Sequence, residues 1–350
     1  MVDATHISFA ADDRSYFSLI KKEIHQRALD FGLPLSRVSE VDIIVAEMTS
    51  NLFKYGTNCE ILVGSSDNFN APYFEIISID SGAGMANPGR MVQDGISTTK
   101  TLGQGLGSIK RLSDTFEIYS QLGWGTIVLS RIYKNAADSQ LKTASLLRPL
   151  VLAKPGEKTS GDGFYAKQST DYLKIMLADG LGHGPEANLA VNEAARAFKY
   201  FAGSNPVEVL KHIHLAIKKT RGAVANVIVY DIKKMEWISA GIGNIAVKFF
   251  NHSEIKNHLS YNGIVGHNIP GTMSSHSYPG GTYSLAVLCS DGIKTRWDLS
   301  KYPLISRYDP CILNAAIYKD HARKTDDMSI VSVKIINNRN EADYNAVTGK

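Results

Sequence analysis

The chain has 350 residues, 44% of them hydrophobic and 21% charged, and 38 Lys and Arg against 34 Asp and Glu leave a formal charge of +4 at pH 7. This is globular composition with enough length for two cores. So small a positive balance without a basic block excludes a nucleic-acid binder, and no run reaches the ~18 apolar residues of a membrane span. Three cysteines, Cys59, Cys289 and Cys311, form no C-x-x-C pair, which suits a reducing cytoplasm better than a disulfide scaffold. The first six residues lack the basic-then-apolar pattern of a signal peptide, so a cytoplasmic location is expected.

In chain order, residues 12–31 predict an amphipathic helix, with Phe17, Ile20, Ile24, Ala28 and Phe31 at three- and four-residue steps. A second helix runs to about Tyr55, capped by Ser36 or Ser39 and ended by Gly56. Strands follow at 60–64 and 73–80, then a Gly-rich stretch, a helix near 106–113, and strands at 116–121 and 126–133 joined by a turn at 122–125. This predicts two or three helices on an antiparallel or mixed sheet. The polar stretch 134–142 reads as a linker. Beyond it come strands at about 146–153, 163–169 and 172–178, helices at 186–201 and 206–220, and strands at 223–230, 235–240, 245–250, 282–289 and 329–335. Many strands around a helical pair predict an α+β sandwich. The polar stretch 337–350 is expected to fray.

Three motifs in the first half point to nucleotide chemistry. Glu47 and Asn51 are four apart, so a helix presents both on one face. A carboxylate there can act as a base, and an amide oxygen suits Mg²⁺. Asp80-Ser81-Gly82-Ala83-Gly84 closes the apolar run 74–79, placing a carboxylate at a strand end beside glycines that let backbone approach a flat ring. Gly103-Gln104-Gly105-Leu106-Gly107 then opens a helix whose N–H groups can meet phosphate.

In this order the motifs resemble the GHKL ATPase family over residues 8–133, and more narrowly the RsbT-type serine kinases of bacterial partner-switching modules. The stretch 96–114 is close to that subfamily's lid and helix. The resemblance implies a Bergerat α/β sandwich in which Asp80 holds adenine, with Gly82 and Gly84 beside it and Thr126 in support. It also implies that Asn51 ligates Mg²⁺, Glu47 is the base, and Gly103, Gly105, Leu106 and Gly107 admit the phosphates of ATP. Lys100 and Lys110 are each open to a lid role or a solvated surface role.

In the second half, strands 174–178 and 283–289 each deliver an aspartate followed by glycine, Asp179-Gly180 and Asp291-Gly292. Ser160-Gly161-Asp162-Gly163 repeats the pair, and Asp326-Asp327 precedes the strand 328–333. Carboxylates gathered from strand ends repel unless cations neutralise them.

This set, with Ala178-Asp179-Gly180-Leu181-Gly182-His183-Gly184 as its most specific piece, resembles the PPM metal-dependent serine/threonine phosphatases over residues 145–336, in their SpoIIE/RsbX-like form. The family's usual double glycine before the first aspartate is Ser160-Gly161 here. The resemblance implies a PPM-type α-β-β-α sandwich in which Asp179 bridges two Mn²⁺ or Mg²⁺ ions beside the Gly180 carbonyl. Asp291 and Asp326 complete the pair, Asp162 is a further ligand or water holder, and Asp179 and Asp291 carry catalysis. Asp327 adjoins Asp326, so the last ligand is open between the two. His183 is open between general acid and structural side chain, and Arg221 between phosphate clamp and surface ion pair.

The expectation is therefore an α+β two-domain chain: a kinase-like domain at 1–134, a linker at 135–144, a phosphatase domain at 145–336 and a tail at 337–350. The resemblances imply a bifunctional kinase and phosphatase acting on STAS-domain phosphoproteins of a stress-response, stressosome-like or sigma-factor circuit, with a sigma factor as a further candidate partner. The alternative is a phosphatase whose ATP unit only senses nucleotide or binds a partner.

Overall fold

The computed structural model describes residues 5–66, 71–92, 105–140, 143–251 and 254–336. Two compact units divide them. One comprises residues 5–143 with 302–316, and the other 144–301 with 317–336.

The first unit opens with β1 (His6–Ala10) and a 3₁₀ turn at Arg14–Tyr16, then α1 (Phe17–Asp30) and α2 (Leu35–Tyr55). Next come β2 (Glu60–Ser66), β3 (Tyr73–Asp80), α3 (Pro88–Met91), α4 (Gly105–Leu112), β4 (Thr115–Gln121) and β5 (Gly125–Tyr133). The sheet order is β1-β2-β3-β5-β4, and every pairing is antiparallel. This decides between the antiparallel and mixed alternatives. α1 buries Phe17, Ile20, Ile24 and Ala28, and α2 buries Val38, Val41, Ile44, Val45, Met48 and Leu52. These join Phe74 and Ile76 of β3 in one core, the period-3.6 stripe meeting the period-2 face. Pro34, not Ser36 or Ser39, occupies the N-cap of α2, and Ser39 Oγ donates back to the Leu35 carbonyl.

The opposite face of that sheet carries charge. Arg131 of β5 donates to Glu75 of β3 (Nη2 to Oε2, 2.8 Å) and to Asp309 (Nη1 to Oδ2, 3.0 Å), all three almost fully buried. His6 Nε2 lies 3.0 Å from Glu75 Oε1, and Glu117 Oε2 accepts from the Asp309 amide at 2.8 Å. Tyr119 stacks edge-on against Tyr308, and Trp124 against Tyr302. Residues 302–316 thus belong with the first unit, although the expected division places them inside 145–336. The reason is local: a sheet face bearing Glu75, Glu117 and Arg131 needs partners to be buried.

The second unit comprises β6 (Ser145–Leu152), β7 (Asp162–Gln168), β8 (Tyr172–Gly180), α5 (Pro185–Tyr200), α6 (Pro206–Ala216), β9 (Ala223–Asp231), β10 (Glu236–Ile242), β11 (Ala246–Phe250), β12 (Ile255–His258), β13 (His276–Pro279), β14 (Leu285–Cys289), the latter part of α7 (Pro310–His321) and β15 (Met328–Ile335). Two five-stranded antiparallel sheets, β13-β10-β9-β8-β7 and β12-β11-β14-β15-β6, enclose one core. A second core lies between α5, α6 and the first of these sheets. β8 shows why: Ile175 and Leu177 enter the inter-sheet core while Met176 and Ala178 enter the helical one. A strand buried on both faces reads as an unbroken apolar run.

Of the expected α-β-β-α layers, the two sheets and the helical layer of α5 and α6 are defined by these two cores. α7 is the only α-helix between β14 and β15, and its first residues group with the other unit. β1, α3, β12, β13 and α7 have no counterpart among the expected elements. The stretch 136–140 of the expected linker is a 3₁₀ helix, and the tail 337–350 lies outside the described residues. Among the described residues no helix is long and apolar enough to cross a membrane.

Candidate functional site

In the second unit, strand termini place the aspartates. β8 runs through Asp179 to Gly180, β14 ends one residue before Ser290-Asp291, and Asp326 stands two residues before β15. Asp179, Asp291 and Asp326 line one cavity of about 440 Å³ with Lys154, Gly182, His183, Asn244 and Asn262. Gly180 keeps β8 close to α5, since a Cβ there would fall 2.4 Å from the Ala187 carbonyl oxygen. Gly182 and Gly184, at φ +87° and +75°, then turn the chain into α5, a conformation glycine adopts without strain.

Hydrogen bonds sort the five aspartates. Asp327 accepts from the Lys154 amide (2.8 Å) and the Gly161 amide (2.9 Å), so both of its oxygens are engaged by backbone. Asp326 accepts from the Asp327 amide through Oδ1 alone and faces the cavity. Asp162 is buried in register with Asp179, where Ser329 Oγ donates to its Oδ2 at 2.8 Å; it does not line the cavity. Asp291 Oδ2 accepts from Asn244 Nδ2 at 2.9 Å. Asp179 accepts no hydrogen bond from a described residue, which leaves both of its oxygens available.

The electrostatics follow. Burial first, then Asp162, Asp291, Asp326 and Asp327, push the Asp179 carboxyl well above the usual carboxylate range. Burial also raises Asp162, against the pull of Ser290 and Ser329 and with Asp327 and Asp291 adding to the rise. Like charges held together in this way cost free energy that a divalent cation would reverse. The donors are all oxygen, which fits a hard ion such as Mg²⁺ or Mn²⁺. Among the described residues no three His, Cys, Asp or Glu side chains already surround one ion-sized point. An Mg²⁺ ion, which takes one or two carboxylates and keeps several waters, needs no such cage.

Three lining residues with polar side chains, Lys154, Asn244 and Asn262, carry no sequence signal. Each sits in a loop with no motif of its own, and only tertiary structure brings them to the aspartates. His183 Nδ1 lies 3.0 Å from Glu157 Oε1, and Arg221 pairs with Glu186 in the first turn of α5. Both side chains are about half exposed.

In the first unit, the backbone at Gly105 passes close to the helix pair. A Cβ there would stand 2.9 Å from Glu47 Oε2 and 3.4 Å from Asn51 Oδ1, so the backbone at Gly105 runs within contact range of both side chains. Gly105, Leu106 and Gly107 open α4, whereas Gly103 and Lys100 lie outside the described residues. Asp80 ends β3 opposite Thr126 of β5, and its Oδ1 accepts from the Gly82 amide at 2.7 Å. Thr126 Oγ1 is 2.9 Å from Ser120 Oγ, an additional polar neighbour. Gly84, at φ +69°, has no room for a side chain against the Gln121 carbonyl. These residues fit a nucleotide: a carboxylate and hydroxyls for a base edge, and the glycine-rich start of α4 beside an amide and a carboxylate for Mg-phosphate.

No family model matches the chain. It is similar in sequence to the phosphoserine phosphatase RsbX of Bacillus subtilis (strain 168), 28% identical over 102 residues, which is 29% of this chain and 50% of RsbX. It is also similar to the serine/threonine-protein kinase RsbT of the same organism, 28% identical over 99 residues, 28% of this chain and 74% of RsbT. The chain thus spans about half the length of RsbX. A solved structure from the bacterial stressosome, described as a modular system adapted to control secondary messenger signalling, is 27% identical with TM-score 0.50 and covers 55% of this chain and 100% of that one. A crystal structure of RsbX in complex with magnesium is 19% identical with TM-score 0.49 and covers 56% of this chain and 98% of that one. Likeness to a phosphoserine phosphatase and likeness to a serine/threonine kinase therefore coexist in one polypeptide.

Proposed function

We propose that this chain is a bifunctional partner-switching regulator. In this reading its second unit hydrolyses phosphoserine or phosphothreonine with divalent metal, and its first unit binds Mg·ATP and phosphorylates a protein serine or threonine. The observation that carries the phosphatase reading is the meeting of Asp179, Asp291 and Asp326, from three separate strand ends, on one cavity. Asp179, with both oxygens available, would hold the cations together with Asp291 and Asp326, and the Gly180 carbonyl is a further proposed ligand. Bound there, divalent cations supply a water of lowered pKa and take up charge on the phosphoryl oxygens. Hydrolysis there would release inorganic phosphate and the free side-chain hydroxyl, water supplying the oxygen to phosphorus and the proton to the alcohol.

For the first unit, Asn51 would hold Mg²⁺, Glu47 would orient the accepting hydroxyl, and Asp80 with Thr126 would hold the base. STAS-domain proteins of a stress or sigma-factor circuit are the proposed substrates, in keeping with the likeness to RsbT and to a stressosome structure. Opposed activities run together would only consume ATP, so we expect distinct partners or mutual gating.

The test is hydrolysis of p-nitrophenyl phosphate by the full chain. Activity that needs Mn²⁺ and disappears in Asp179→Asn and Asp291→Asn supports the phosphatase. Metal-independent or unchanged activity overturns it. Transfer from γ-labelled ATP to a STAS protein, measured in Asp179→Asn so that product persists, tests the kinase. No transfer leaves nucleotide sensing.

A further inference from the structure

Asn244 stands outside every motif in the chain, yet of the lining residues it is the one whose side chain hydrogen-bonds a cavity aspartate. Its Nδ2 is 2.9 Å from Asp291 Oδ2. The carboxamide N–H₂ donates and the Asp291 carboxyl oxygen accepts. The backbone that delivers it is constrained. Gly243, between β10 and β11, has φ +93°, and a Cβ there would fall 2.2 Å from Val224 Cγ1. The Gly243 amide donates to the Tyr261 carbonyl at 2.8 Å, and the Tyr261 amide donates to the Gly241 carbonyl at the same distance. The turn is therefore pinned on both sides, and Asn244 projects from a fixed point.

Other aspartates near the cavity are held differently. Asp326 is oriented by the amide of its own neighbour, and Asp162 by the Ser329 hydroxyl. Asp291 follows β14 in a loop, and Asn244 is the described side chain that fixes its carboxylate plane. We infer that Asn244 is the positioning residue of the metal centre: it occupies one oxygen of Asp291 and leaves the other for a metal ion. This rests on the metal-dependent phosphatase reading. Outer partners of metal-binding carboxylates typically set affinity by about 10- to 100-fold.

The experiment is Mn²⁺ titration of the metal-stripped full chain by calorimetry, with melting temperature of the stripped protein as a fold control. Asn244→Ala is expected to weaken Mn²⁺ binding about 10- to 100-fold while the stripped protein melts as wild type. Asn262→Ala removes a carboxamide from the same lining that touches no carboxylate, and is expected to stay within about threefold of wild type. Asn244→Leu, similar in size but without a donor, replaces the alanine variant if that one does not fold, and carries the same expectation. Unchanged Mn²⁺ affinity in the Asn244 variants, or equal weakening in Asn262→Ala, overturns the inference. If wild type itself binds no Mn²⁺, the metal reading fails, an outcome distinct from the first two.

Discussion

Both units gather charged side chains away from water, with opposite electrostatic results. Around Arg131 the charges are mixed. Burial alone would raise the Glu75 carboxyl, but the Arg131 guanidinium and then His6 outweigh it and hold it at about 2. Around Asp179 the charges are alike, and burial and neighbouring carboxylates raise it together. A satisfied network rests at low energy without help, whereas a like-charge cluster stores repulsion that a ligand of opposite sign can release. The direction of the shift thus separates a structural ion cluster from a candidate site better than the number of acidic residues does.

The largest effect that can break this contrast is at Asp179. Asp179→Asn should lower Mn²⁺-dependent phosphatase turnover by about 10³-fold or more while raising the melting temperature of the metal-free protein by roughly 3 °C, because one repelling carboxylate is gone. A variant that loses activity and melts lower would show that Asp179 is structural. At the other cluster, Arg131→Met leaves Glu75 and Asp309 buried without their cation, and urea unfolding should register a loss of about 3–5 kcal/mol. Adding Glu75→Gln should recover part of it. A loss under about 1 kcal/mol would mean that water already solvates the pair.

The smallest effect is acid dependence. Glu75 has a folded value of about 2, below the 4.5 of the free side chain, so the folded state binds fewer protons than the unfolded chain between those two pH values. Its stabilisation is present above pH 4.5 and lost as the pH falls towards 2. The stability difference between wild type and Glu75→Gln should shrink across that window by on the order of 3 kcal/mol. A constant difference would mean that Glu75 is not the titrating group.

Much of the second unit is legible in the chain because its signals are local. An apolar run ending in Asp-Gly is a strand delivering a carboxylate, and Asp179 and Asp291 obey it. The cradle around Glu47, Asn51 and Gly105 is readable for the same reason, since a four-residue helical step and a helix-opening glycine run are short-range patterns. α7 was missed because its apolar residues lie on every side, leaving no amphipathic period to detect.

Sequence alone determined which residue types stand at the strand ends and helix starts, because backbone periodicity is a property of a few neighbours. The tertiary structure decided how those carboxylates are used. Asp326 faces the cavity and Asp327 does not, since the Asp327 oxygens meet the amides of Lys154 and Gly161, 173 and 166 residues away. Asp162 is removed to the interior by Ser329, Asn244 is brought to Asp291, and residues 302–316 are claimed by the Arg131 face of the first unit. Hydrogen-bond partners so distant along the chain leave no trace in its local pattern, because they are chosen by the packing of sheets.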